Sequence, residues 1–215
     1  MTGVVGEIFE KDIRRRVKIK DKVAFEAVRT YVVNNFGATM SIKSLTEALE
    51  KNGSKITRAT VTRYITALVD AKILYECNRF DMKSKKALSG EKKYYLADLS
   101  FYFAQTTDNR INFGPVLENI VYTYAHSLDY SVSVGRIGNL ECDFILRNKE
   151  NDYSYVQVAY TIMQSEDTEN REYRPLEGIK DNYAKYVATT DYMLQKRSGI
   201  RHINLMEFMI RQSQF

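Results

Sequence analysis

Three features of this sequence predict an α/β chain, α+β overall, built in two parts. Residues 22 to 98 run through helix-period segments separated by short polar turns and close on two strand-like runs. Residues 112 to 215 read as helix, three strands, helix, strand, strand, helix. Charge divides at the same place, with 20 Lys and Arg against 11 Asp and Glu in residues 1–95 and 12 against 16 in residues 96–215. The expected domains are therefore 1–98, including an N-terminal linker helix, and 112–215. At 215 residues, each part is long enough to bury a core. A polar connector from Thr106 to Asn112 is the expected site of proteolytic cutting.

In the first part, Ala24, Ala27, Val28, Tyr31 and Val32 recur at helical spacing, and Gly37 follows as a stop. Ser41 caps a second helix with Ile42, Leu45, Ala48 and Leu49 inward, ended by Asn52-Gly53. Thr57 caps a third, with Val61, Ile65 and Leu68 inward. The third helix exposes Arg58, Thr62 and Thr66 at intervals of four, with Arg63 beside Thr62. Short hydroxyls and guanidinium groups in one stripe suit phosphates and base edges. Strand-like runs at Ile73–Phe80 and Lys92–Leu96 follow, joined by a loop carrying Lys83, Lys85, Lys86 and Gly90. Three helices and such a hairpin read as a winged helix-turn-helix, the third helix entering the major groove of duplex DNA and the lysine loop following its backbone.

The second part opens on a helix burying Leu117, Ile120, Val121, Tyr124 and Leu128. Its most informative stretch is Leu140–Leu146, where Cys142, Phe144 and Leu146 alternate with Glu141, Asp143 and Ile145, so that both carboxylates fall on one face. The next strand puts Tyr155, Gln157 and Ala159 on one face and Val156 and Val158 on the other. A carboxylate on one strand beside a polar acceptor on the next is how a sheet holds a divalent metal for phosphodiester hydrolysis, with a nearby lysine offsetting the developing charge. A helix over about 167–179 then crosses to Lys185–Thr189, which is expected to lie parallel to its neighbour.

That arrangement resembles the PD-(D/E)XK nuclease superfamily, whose core carries an acid on one strand and Glu-x-Lys on the next. Asp143 stands at the acid, Gln157 at the second carboxylate, Ala159 at the lysine, and Glu118 at the extra acid that some of these nucleases carry before the sheet. The resemblance implies a degenerate catalytic set of Asp143, Gln157 and Glu118. A weak Mg²⁺ site of Asp143, Glu141 and Glu118 goes with it, Glu141 standing in for the absent acid and Lys180 or Lys185 for the absent lysine.

Nearly end to end, the chain also resembles the C-terminal region of prokaryotic AAA+ ATPases, a domain of unknown function in which a winged helix precedes a nuclease-like fold. The blocks that carry this are Phe9–Ile13, Glu91–Asp98, Leu117–Tyr122, Val156–Tyr160, Ile179–Tyr183 and Gly199–Leu205. The resemblance implies an ATPase domain as partner, in cis or in trans. The chain itself has no phosphate-binding loop: Gly53-Ser54-Lys55-Ile56-Thr57 lacks the earlier glycine and lies between two helices, so no ATP site is expected here. Arg14-Arg15-Arg16 would lie near the domain junction, as a solvated linker helix.

Composition excludes several other classes. Two cysteines, Cys77 and Cys142, make no disulfide framework, and the two histidines, His126 and His202, have no Cys or His neighbours at zinc spacing. No apolar run approaches the roughly 20 residues of a membrane helix, and the N-terminus is charged rather than signal-like. A soluble cytoplasmic protein with duplex DNA as partner, and no membrane partner, is expected. Three functions follow in order: a DNA-binding module with its nuclease-like domain kept as a scaffold, a Mg²⁺-dependent nuclease, and a protein-interaction platform.

Overall fold

The structure, a computed structural model, describes Ile13, residues 19–105 and residues 111–215. The Arg14-Arg15-Arg16 junction and most of the expected cleavage segment lie outside the described residues. The architecture is mixed α/β, in two compact units: Met1–Glu76 with Gly90–Ile111, and Cys77–Ser89 with Asn112–Phe215.

The first unit is built on α1 (Lys22–Asn34), α2 (Ile42–Lys51) and α3 (Arg58–Asp70). Each begins where a short polar side chain satisfies a free amide. Asp21 accepts from Ala24 N at 2.9 Å, Ser41 from Ser44 N at 3.0 Å, and Thr57 from Thr60 N at 3.3 Å. Gly53, at φ +85°, lets the chain leave α2 in a conformation that a side chain would strain. Val28, Val32, Leu45, Val61 and Leu68 are fully buried between the helices. Tyr64 meets Phe25 edge-on, ring centroids 5.2 Å apart, and its hydroxyl donates to the Asp21 carbonyl. Strand β1 (Thr39–Met40), which sequence periodicity does not reveal, pairs antiparallel with β3 (Lys86–Leu96) through Thr39↔Lys93. A short helix, α4 (Ser100–Phe103), follows β3.

Strand β2 (Leu74–Asp81) and β3 contribute to both units, since Cys77–Ser89 is counted with the second. The connecting loop is shorter than expected. Lys86 and Gly90 lie within β3, because Asp81 Oδ1 accepts from the amides of Lys83 and Ser84 and Lys85 takes a left-handed φ of 54°, which closes the hairpin early.

The second unit adds α5 (Phe113–Ser127), β4 (Ser131–Ile137), β5 (Leu140–Arg147), β6 (Tyr153–Val158), α6 (Glu166–Glu177), β7 (Ala184–Thr189), β8 (Lys196–Arg197), β9 (Ile200–Asn204) and α7 (Leu205–Ile210). The end of β2 lies parallel to β4 through Arg79↔Val134, the sheet continuing β4-β5-β6-β7-β9-β8. Pairs β4/β5 and β5/β6 are antiparallel, whereas β6/β7 and β7/β9 are parallel, as a crossover through α6 requires. Helix α6 covers one face with Tyr173 and Leu176 against Ile145, Tyr155 and Val187. On α5, Tyr122 meets Phe144, the neighbour of Ile145 and so on the opposite face. Both faces being covered explains the near-continuous burial of β5 from Cys142 to Leu146.

Candidate functional site

On α3 the inward residues Val61, Tyr64, Ile65 and Leu68 leave Arg58, Thr62, Arg63 and Thr66 on the exposed side. The Thr62 hydroxyl donates to the Arg58 carbonyl at 2.9 Å, and the Arg63 guanidinium lies 5.3 Å from the Tyr64 ring centroid. Neither arginine has an ion-pair partner among the described residues. Lys83, Lys85 and Lys86 are likewise exposed, but they belong to the second unit. There the hairpin end is held by two ion pairs, Arg136 with Asp81 and Arg79 Nη2 with Glu141 Oε2 at 3.1 Å. Backbone hydrogen bonds from Ser84 and Lys83, with the Arg136 guanidinium, hold the Asp81 carboxyl down at about 2.

Strand β5 departs from a simple alternation beyond Cys142. Between β4 and β5 the register moves from Ser133↔Ile145 to Gly135↔Cys142, so β5 carries one extra residue, a bulge, around Asp143 and Phe144. The bulge brings Cys142 and Ile145 to the same side, over Gly135, where a Cβ would stand 3.2 Å from Cys142 Cβ and 3.1 Å from Ile145. Asp143, buried in the bulge, accepts the Val158 N–H through Oδ2 at 2.8 Å, and its own amide donates to Gln157 Oε1 at 3.4 Å. Gln157 in turn donates through Nε2 to Glu172 Oε2 on α6 at 3.2 Å, and Arg171 Nε donates to Glu172 Oε1 at 2.9 Å. Three buried polar residues, Asp143, Gln157 and Glu172, thus form one chain of hydrogen bonds.

Glu172 is the member that sequence reasoning missed. Its signal is helical spacing: it lies one residue before the buried Tyr173 and four before the buried Leu176, on the inward side of an otherwise charged helix. Glu141 is half-buried and engaged by Arg79, and Glu118 is half-buried on α5. Among the described residues, no three His, Cys, Asp or Glu side chains gather in a group that could hold a metal ion, so Asp143, Glu141 and Glu118 do not form one. Ala159 is buried and offers no charge. The candidate replacement lysines have other partners: Lys185 donates to the Asp181 carbonyl and carboxylate at 2.8 and 3.1 Å, and Lys180 to the Glu177 carbonyl at 2.9 Å. Burial, with the Asp143 charge beside it, pushes the Cys142 thiol well up. No described helix is long and apolar enough to cross a membrane.

Comparison with known proteins agrees in one respect: the proteins that this chain is similar to have no established function. The chain belongs to the family described as a domain of unknown function (DUF8612), whose model matches residues 2–110. An uncharacterized protein of Haemophilus influenzae is 28% identical over 213 residues, which is 98% of this chain and 52% of that protein. Uncharacterized protein MJ1544 of Methanocaldococcus jannaschii is 27% identical over 181 residues, 81% of this chain and 39% of that protein. The chain therefore spans about half the length, or less, of these curated relatives. No solved structure matches it.

Proposed function

We propose that this chain is a DNA-binding module that works beside an ATPase domain, with α3 as its recognition helix in a winged-helix unit and the second unit as a nuclease-like scaffold that no longer cuts. The observation that carries this reading is the exposed side of α3, where two arginines without an ion-pair partner among the described residues, Arg58 and Arg63, alternate with Thr62 and Thr66 on a helix anchored by its opposite side. Guanidinium groups so placed neutralise phosphates or bind guanine edges, and threonines tolerate close approach to a base. Exposed Lys83 and Lys85 occupy the β2–β3 turn, ordered by Asp81, and exposed Lys86 opens β3. The loss of cleavage is supported by Ala159 at the lysine position and by the Gln157 amide, which is engaged with Glu172 rather than turned to a cation. An ATPase partner, in cis or in trans, is compatible with relatives of about twice this length.

The test is a fluorescence anisotropy titration with duplex DNA across a series of salt concentrations. The parent is expected to bind with a steep salt dependence. Arg58→Ala with Arg63→Ala is expected to weaken binding and to lower the salt slope by about 0.9 for each phosphate no longer neutralised. Unchanged binding in the double variant, or none by the parent at low salt, would overturn the reading.

A second reading, a Mg²⁺-dependent nuclease, is favoured by one observation, the buried Glu172 carboxylate one hydrogen bond from Gln157 and two from the Asp143 amide. That carboxylate supplies an acid at a place where the strand has only an amide.

A further inference from the structure

The side chain of His202, on β9, is fully buried, and its two ring nitrogens meet the two ends of the segment that joins β7 to β8. Nδ1 accepts the backbone N–H of Gln195 at 3.1 Å. A peptide N–H can only donate, so Nδ1 carries no proton and the imidazole is neutral, with its hydrogen on Nε2. Nε2 donates to Thr189 Oγ1 at 2.8 Å, and that oxygen also accepts the Asp191 amide at 3.0 Å.

The two ends are held unequally. Thr190 donates to the Tyr160 carbonyl through its amide at 3.1 Å and its hydroxyl at 2.7 Å. Asp191 accepts from the Thr161 hydroxyl at 2.6 Å and from Ile162 N at 3.0 Å, and Asn204 Nδ2 donates to the carbonyls of both Thr190 and Asp191 at 3.1 Å. At the far end the Gln195 amide rests on His202 Nδ1, and the Gln195 side chain adds a 3.8 Å contact with the Met163 sulfur. Charged groups reach the ring from two sides. Asp191 Oδ2 lies 3.7 Å from Nε2, and Glu169 acts on it from α6, its carboxylate shared with Arg197 Nη1 of β8 at 3.2 Å. Strand β7 presents Thr189 and Val187, the register partner of His202. Burial outweighs the two acids and holds the imidazole below its ordinary range.

We propose that His202 is a pH-operated latch on the segment Tyr192–Gln195, closed while the imidazole is neutral and opened by its protonation. The added proton has to go to Nδ1, the nitrogen that faces the Gln195 N–H, and two donors cannot share one hydrogen bond. The Gln195 end therefore leaves, while the bonds of Thr190 and Asp191 hold the other end. Little packing resists this, since Tyr192, Met193 and Leu194 are 83%, 78% and 51% exposed in the closed form. Opening admits water to the ring and removes the effect of burial, so the open form takes the proton at higher pH than the closed form. The closed form is thus fully favoured above the ordinary imidazole value of about 6.5, and below it the ratio of closed to open falls about tenfold per pH unit. The inference is independent of the DNA-binding reading, since it uses neither α3 nor the lysine turn.

Two-dimensional NMR of the full chain labelled with nitrogen-15, titrated from about pH 8 to about pH 5, tests it. The ring nitrogens of His202 are expected to report the neutral Nε2–H tautomer at the upper end and the imidazolium at the lower. Over the same range the exchange protection factor of the Gln195 amide is expected to fall about tenfold per pH unit below about 6.5, while the Asp191 and Ile162 amides keep theirs. His202→Asn places a side-chain oxygen where Nδ1 stands and does not titrate, so its Gln195 protection is expected to stay level. A ring still neutral at about pH 5, Gln195 protection that does not follow the ring, equal loss at Asp191 and Ile162, or the same pH response in His202→Asn would each overturn the proposal. Ring and amides are both read in the parent chain, so the test stands whether or not the variant folds.

Discussion

The side-chain amide of Gln157 on β6 donates to the carboxylate of Glu172 on α6 across 3.2 Å, both groups buried. It ties the crossover helix to the sheet. Gln157→Leu is therefore expected to cost about 2 kcal/mol, the order found when a buried charged acceptor loses its donor; Glu172→Gln, which keeps a hydrogen bond, is expected to cost less. Gln157→Glu would set two carboxylates side by side, raising the pKa of one of them, so its stability should fall as pH rises above the carboxylate range and recover with Mg²⁺. Urea denaturation at several pH values, with and without Mg²⁺, measures all three.

Cleavage separates the two functional readings. With Ala159 at the lysine position and Lys185 held by Asp181, no cleavage of single-stranded, duplex or branched DNA in Mg²⁺ or Mn²⁺ is expected. Cleavage by the parent that vanishes in Asp143→Ala would establish a nuclease. Loss of that same activity in Glu172→Ala would show that the helix carboxylate belongs to its site.

Asp81 organises the lysine turn, and its pH dependence has a definite sign. Its folded pKa is depressed to about 2, chiefly by the Ser84 amide and next by Arg136, so its contribution is complete above the ordinary carboxylate value of about 4 and is lost as pH falls through about 2. The Lys83 and Ser84 amides are expected to gain exchange rate and move in chemical shift across that window, and Asp81→Ala to show the low-pH turn at neutral pH. Both are read from two-dimensional NMR spectra of the amide protons.

Cys142 is fully buried and its thiol is raised by burial first and by Asp143 second, so almost no thiolate exists at about pH 8. Iodoacetamide is expected to leave it unmodified in the native protein and to alkylate it in urea, as mass spectrometry of the digested protein would show. Rapid native alkylation would mean that the β5 bulge opens, because the thiol lies over Gly135 inside the sheet.

Local pattern was enough to read most of the elements from the sequence. Helical periodicity and the caps Ser41 and Thr57 located α2 and α3, and inward Val61, Ile65 and Leu68 left Arg58, Thr62, Arg63 and Thr66 outside, because a helix buries one side whatever it packs against. The parallel β6/β7 crossover followed from element order.

What only the tertiary structure decided depends on partners far apart in sequence. The pairing of Arg79 with Val134 takes the end of β2 into the second unit, and the register change opposite Ser133 and Gly135 interrupts the regular alternation of β5 beyond Cys142. Glu141 meets Arg79, and Glu172 reaches Gln157 from the following helix. A bulge adds a residue with no local composition signal of its own, and an ion pair spanning 62 positions has none in either segment alone. Periodicity reports which side of an element is buried; which buried polar group meets which is set by the packing of one element on another.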